Sequence, residues 1–260
     1  MKRRYDGTQF REEPTISVYY FWMNTEEPPF DDVRVRRAVN YAIDPEALER
    51  IFAGTVRPTQ QVLPPQMPGY RRFELYPHDV ARAKRLVERA DPDDREITVW
   101  TFNLTPTDEA GQYYEQVLTE LGFDVTLKVI DAANYFTVIG NASTPDLDTG
   151  FANWFLDYPH PSDYFLPQLS GESIIPNGNT NWARFGDPEI DAKIQRLSTE
   201  QLGPRQESEY AALDREVMKQ APWAPFGTLA LGTFVADSVN LDELVVSPIY
   251  GQDLTSFELE

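Results

Sequence analysis

Between Ile97 and Val129 the chain reads strand, helix, strand with connections of a few residues, and this order limits the fold more than any other stretch. Ile97 to Phe102 is rich in β-branched and aromatic residues, and Thr107 to Leu121 puts Tyr114, Val117, Leu118 and Leu121 on one helical face. Gly122 stops that helix, after which Phe123, Val125, Leu127 and Val129 alternate with polar residues as a strand. Two strands joined through a helix lie parallel, with a right-handed crossover. A helix near Ala132 to Ile139 and an extended stretch up to Trp154 repeat the rhythm. The expected class is α/β, with a mixed, largely parallel sheet flanked by helices.

Upstream, residues 1–15 are polar and lack a period, whereas Ile16 to Met23 is apolar on both faces and reads as a buried strand. Val35, Ala38, Val39, Ala42 and Ile43 form a helical stripe that leaves Arg34, Arg36 and Arg37 mainly outward. Asp44 caps a second short helix with Pro45 at its first position. Four prolines between Val56 and Tyr76 predict a long ordered loop, and Pro77 to Ala90 predicts a helix. Downstream, Asp187-Pro188 starts a helix with Ile190, Ile194 and Leu197 inward, and Pro204 to Ala221 forms a longer one using Tyr210, Leu213 and Val217. Ala221 to Phe226 and Gly227 to Val235 are extended, and the tail consists of strand-like pieces split by Pro248 and Gly251.

Charge narrows the partners. A net charge of −19, from 42 acidic against 23 basic residues, repels phosphate backbones and anionic lipid, so nucleic acid and membrane surfaces are poor candidates and cationic or zwitterionic ligands fit better. With no cysteine and only His78 and His160, neither a disulfide framework, a thiol nucleophile nor a His-rich metal site is expected, and no cofactor is called for. No stretch is apolar for long enough to span a bilayer, and Met1-Lys2-Arg3-Arg4 leads into polar residues rather than the apolar middle of a signal peptide.

Trp154 to Phe165 (W-F-L-D-Y-P-H-P-S-D-Y-F) places carboxylates Asp157 and Asp163 among five aromatic residues. Pro159 and Pro161 make this a rigid turned loop just past a strand end, where open α/β sheets bind their ligands. Asp157 has three candidate tasks: proton transfer, capping or cation binding. His160 is expected exposed, and Trp154 and Trp182, both expected in loops, are the candidate stacking rings. The nucleophile-elbow, P-loop, dinucleotide and HExxH motifs are all missing. Asp146 with Asp148, or Asp157 with Asp163, keeps a carboxylate-based glycosidase open as a minor alternative.

Several motifs carry a resemblance. Asn24 with P-P-F-D-D-V-R-V-R-R-A-V-N-Y-A-I-D from Pro28 to Asp44, L-P-P from Leu63, W-F-L-D-Y-P-H-P from Trp154 and A-P-W-A-P from Ala221 together resemble the family 5 extracellular solute-binding proteins of ABC importers, the oligopeptide, dipeptide and nickel-binding type. The resemblance implies a periplasmic-binding-protein-like type II fold of two lobes closing on a ligand, no enzymatic activity, an extracytoplasmic or surface-anchored location, and permease subunits as partners. It also implies that this chain is the C-terminal lobe: residues 1–15 belong with a missing N-terminal lobe, 16–231 form the lobe with its crossing strands, and 232–260 return to the other lobe. Asp157 stands where peptide-binding relatives pair a carboxylate with the ligand's α-ammonium group, with Trp154, Tyr158, His160 and Trp182 around it. Oligosaccharide or nickel-chelate binding stays open, weak peptide binding is expected of a lone lobe, and its unpartnered strands make self-association an expectation.

Overall fold

The computed structural model describes residues 2–247 and 251–256. Its centre is a seven-stranded mixed sheet flanked by helices, with the strand order β1-β7-β2-β6-β4-β5 and β3 added alongside β7. In chain order, α1 (Lys2–Tyr5) and β1 (Phe10–Pro14) precede β2 (Ser17–Met23), α2 (Val33–Ala42), α3 (Pro45–Ile51), β3 (Val56–Pro58) and α4 (Val80–Ala90). Next come β4 (Glu96–Phe102), α5 (Thr107–Glu120), β5 (Asp124–Ile130), α6 (Tyr135–Ile139), β6 (Thr149–Phe155) and α7 (Ser162–Leu169). The chain continues through α8 (Pro188–Thr199), α9 (Pro204–Gln220), β7 (Trp223–Phe234), β8 (Val246–Ser247) and β9 (Gly251–Gln252). Pro248, taken from sequence as a break in the tail, lies outside the described residues.

The β4–α5–β5 unit forms as its pattern predicts. Strands β4 and β5 run parallel over their whole length, from Glu96 opposite Asp124 to Phe102 opposite Ile130, and β6 joins β4 in parallel through Val99 and Trp100. Parallel pairing is confined to this side, whereas β2, β6, β7, β1 and β3 pair antiparallel among themselves. Every residue of β2 is buried, as its apolar run from Val18 to Met23 requires. Its aromatic side chains anchor the core on both faces: Tyr20 stacks on Trp223 at 3.7 Å between centroids, and Phe21 on Tyr114 at 4.0 Å.

Three sequence expectations need correction. Residues 10–14 form β1, which pairs with residues 230–234 of β7; so short a polar edge strand carries no periodic signal of its own. Arg36 is buried rather than outward, its guanidinium donating to the carbonyls of Gln220, Phe30 and Asp31. The long segment after Val56 opens with strand β3 against β7 before becoming the expected loop.

Helix boundaries follow the capping chemistry. Asp32, Asp44, Asp79 and Asp187 each accept a backbone N–H in the first turn of the helix they precede, and Pro45 and Pro188 occupy first positions. The predicted helix from Pro77 therefore starts three residues later, after the Asp79 cap. No helix among the described residues is long and apolar enough to cross a membrane.

Candidate functional site

Strands β4, β5 and β6 run the same way, so Phe102, Ile130 and Phe155 end at one edge of the sheet, and the loop carrying Asp157 leaves from that edge. Trp154 lies in the last turn of pleat of β6, paired opposite Val18, rather than in a loop. Leu156 extends the pairing by donating its N–H to Ile16 at 3.0 Å, and Pro161 leads into α7.

The two carboxylates of this loop have different environments. Asp157 is exposed, and among the described residues no cation pairs with its side chain. Asp163 is 1% exposed and works as an acceptor: its Oδ2 receives the Trp154 indole N–H at 3.2 Å and the Asp157 backbone N–H at 3.1 Å. Its Oδ1 is buried and has no hydrogen-bond partner among the described residues. Burial pushes the Asp163 carboxyl up to about 6, against the lowering effect of those two hydrogen bonds. This carboxylate braces its neighbours, and the pair does not offer two free carboxyl groups to a glycosidic bond.

Tyr158 is exposed, with its hydroxyl 3.1 Å from Ser162 Oγ. His160 is only partly exposed: Nδ1 accepts the Ser162 backbone N–H at 3.2 Å and lies 2.8 Å from Ser162 Oγ, which places the ring proton on Nε2. Its ring meets Tyr210 edge-on at 5.7 Å, and burial lowers its pKa below the ordinary value. Ser162 is buried at the start of α7, so the pair is a local loop contact rather than an accessible nucleophile with its base.

Trp182 departs furthest from expectation. Its ring is 6% exposed and cannot serve as an open stacking surface; it forms the floor of an aromatic cluster, with Phe136 at 5.1 Å, Trp154 at 6.4 Å and Tyr20 at 6.5 Å. The surface above is Phe136, itself half exposed and 6.2 Å from Phe102, with Leu104 beyond the end of β4. Phe136 and Leu104 escaped the sequence reading because a lone apolar residue in a short helix or loop looks the same whether it faces solvent or core.

Asn181 was likewise missed. Its fully buried side chain donates to the carbonyls of Ser170 at 3.1 Å and Phe185 at 2.8 Å and accepts the Phe185 N–H at 3.1 Å, fixing the loop that presents Trp182. The available signal is the spacing Asn177, Asn179, Asn181, which turn chemistry alone also accounts for.

The other carboxylate pair lies at the opposite end of the sheet. Asp146 and Asp148 border an acidic hollow of about 420 Å³ with Asp94, Glu26 and Glu27. Asp146 pairs with Lys128 at 2.9 Å, while Asp148 accepts the Thr98 N–H at 2.7 Å. Among the described residues no group of three or more His, Cys, Asp or Glu is arranged to hold a metal ion.

Comparison with known proteins agrees with this architecture. Residues 2–174 match the family described as bacterial extracellular solute-binding proteins, family 5 middle region. The chain is 31% identical over 229 residues to heme-binding protein A of Haemophilus influenzae, covering 84% of this chain and 40% of the relative. It is 27% identical to the probable di/tripeptide-binding protein 5 of Pseudomonas aeruginosa, covering 86% and 42%. The solved clavulanic acid biosynthesis oligopeptide binding protein 2 superposes with a TM-score of 0.87 at 25% identity, over 96% of this chain and 48% of that one. The chain thus spans about two-fifths to half the length of these relatives.

Proposed function

Because the chain belongs to the bacterial extracellular solute-binding proteins of family 5, we propose that it forms one wall of a peptide-capturing cleft in the substrate-binding component of an ABC importer. It works outside the cytoplasm, hands its ligand to permease subunits and performs no chemistry on it. The other wall comes from the part of the relatives' length that this chain does not span. The resemblance puts the crossing strands within residues 16–231; in this reading the crossing ribbon is instead β1 with the outer half of β7, which pair with each other, consistent with the exposure of Leu231 and Phe234.

The observation that carries the reading is the Asp157 carboxylate: exposed at the carboxyl edge of the sheet and, among the described residues, without a cation partner, while its backbone is tied to Asp163. A carboxylate so held accepts a charge-assisted hydrogen bond from an ammonium group, and the apolar surface of Phe136 and Leu104 lies along the same edge for side chains of the ligand. The test is nuclear magnetic resonance with millimolar trialanine and N-acetyl-trialanine. We expect the free-amine peptide to shift loop signals from 154 to 165, the acetylated one to leave them in place, and Asp157→Asn to abolish the difference. Equal response to both peptides would sink the ammonium assignment.

A second reading rests on the relative named as a heme-binding protein together with the half-exposed Phe136 and Leu104. A flat apolar ligand would lie on that surface instead. Hemin titration followed in the visible spectrum separates the two: a saturable change that survives Asp157→Asn favours the flat ligand.

A further inference from the structure

We propose that Asp163 is a positioning residue for this site: one buried oxygen clamps the Trp154 indole and the Asp157 backbone together and so sets the direction in which the Asp157 carboxylate faces a ligand. The role in ligand binding rests on the peptide reading above; the clamp itself does not.

The geometry is economical. Trp154 closes β6, Asp163 opens the first turn of α7, and the intervening loop holds Pro159 and Pro161, whose rings fix φ and leave few free rotations. Leu156 is tied to Ile16, and Asp157 is tied to Asp163, so the backbone is held immediately before and at the residue whose side chain remains exposed. Without Asp163 both the indole N–H and the Asp157 N–H would lose their acceptor. Burying a carboxylate with neutral donors only, and with Oδ1 unmatched, is costly for packing alone, where an apolar side chain would serve. The cost is intelligible if a fixed acceptor is needed at that point.

The titratable groups acting on this carboxyl are Asp157 and Tyr158 from the loop and Tyr164 from α7; Trp154 on β6 contributes a neutral donor, and His160 sits in the same loop. The phenols stay neutral through the range of interest, since burial raises both. No described cation forms an ion pair with Asp163. A proton taken up on Oδ1 leaves Oδ2 accepting both N–H groups, so the clamp persists in acid while one charge beside Asp157 disappears.

The experiment is a pH titration of the ¹⁵N-labelled chain without ligand. In the unsubstituted chain the Trp154 indole and Asp157 amide signals should move together, with one midpoint near 6. In Asp163→Asn, which keeps a carbonyl acceptor, both should stay close to their acid positions and stop moving; in His160→Gln the shared midpoint should remain. Separate midpoints, persistence in Asp163→Asn, or loss in His160→Gln would overturn the clamp. In a second arm with trialanine, Asp163→Asn should bind within roughly threefold of the unsubstituted chain and Asp163→Ala about tenfold more weakly. Equal binding by all three overturns the role in ligand positioning. Failure of the unsubstituted chain to respond to trialanine counts against the peptide reading, and the clamp is then judged by the titration.

Discussion

The Asp214 carboxylate on α9 accepts the backbone N–H of Val62 at 2.9 Å, joining two points 152 residues apart in sequence. The same carboxylate takes the Leu63 N–H at 3.2 Å and the Gln61 side chain at 3.4 Å, and Gln61 in turn accepts the Phe73 N–H at 3.0 Å. The long proline-rich loop is thereby fastened to the core through one buried acid.

Burial raises that acid to about 7, above its ordinary value near 3.8, so the folded chain holds a proton there that the unfolded chain has released. Stability then falls as pH rises from about 4 to about 7, because the folded state must ionise a group that burial disfavours. Asp214→Ala removes this slope and leaves the Val62 and Leu63 N–H groups without an acceptor. Its expected cost is about 3 kcal/mol, greatest at the acid end of that window. Urea unfolding of both proteins at pH 5 and pH 8 measures it, and an equal difference at the two values would argue against the assignment.

Arg36 should be equally intolerant of change. Among the described residues its guanidinium bonds only to carbonyls, those of Gln220 at 2.9 Å, Phe30 at 2.6 Å and Asp31 at 3.0 Å, and burial draws its pKa down to about 10. Arg36→Met preserves most of the packing and removes every donor. A loss of about 2–4 kcal/mol is expected in chemical denaturation, with Arg36→Lys recovering only part of it because one ammonium cannot reproduce the planar fork.

Asn181 gives a local prediction with a spectroscopic readout. Asn181→Asp removes both donated hydrogen bonds and puts the new oxygen against the Ser170 and Phe185 carbonyls. About 2–3 kcal/mol of stability should go, and tryptophan emission should shift to the red as the loop holding Trp182 loosens. Unchanged emission alongside full loss of stability would show that the loop keeps its shape by other contacts.

How far the sequence can be read follows from where information is local. Strand β2, the β4–α5–β5 unit and the helices headed by Asp44 and Asp187 were legible because period, cap and proline all act within a few residues. Strand β1 was not, since its pairing depends on residues 230–234, far away along the chain. Arg36 illustrates the same limit: its helical face predicts exposure, but the carbonyls that accept it come partly from the end of α9. At the site, Asp157 and its proline frame could be picked out from sequence, as could the carboxylate of Asp163. The separation of the two, one exposed and one buried beneath Trp154, arises only when α7 folds back against β6. Trp182 was misjudged because a loop residue of that size is exposed or buried according to what packs against it, here Tyr20 below and Phe136 above.

Strand β7 is continuous from Trp223 to Phe234, yet its register against β2 shifts between Tyr19 and Tyr20. That irregularity divides it into two arms. The inner arm is locked by Trp223 against Tyr20, whose hydroxyl bonds to Gln168 on α7; the outer arm pairs with β1 and carries the exposed Leu231 and Phe234. The exposed outer arm and the helix behind the Asp157 loop are thus joined by one backbone, one stacked ring pair and one hydrogen bond.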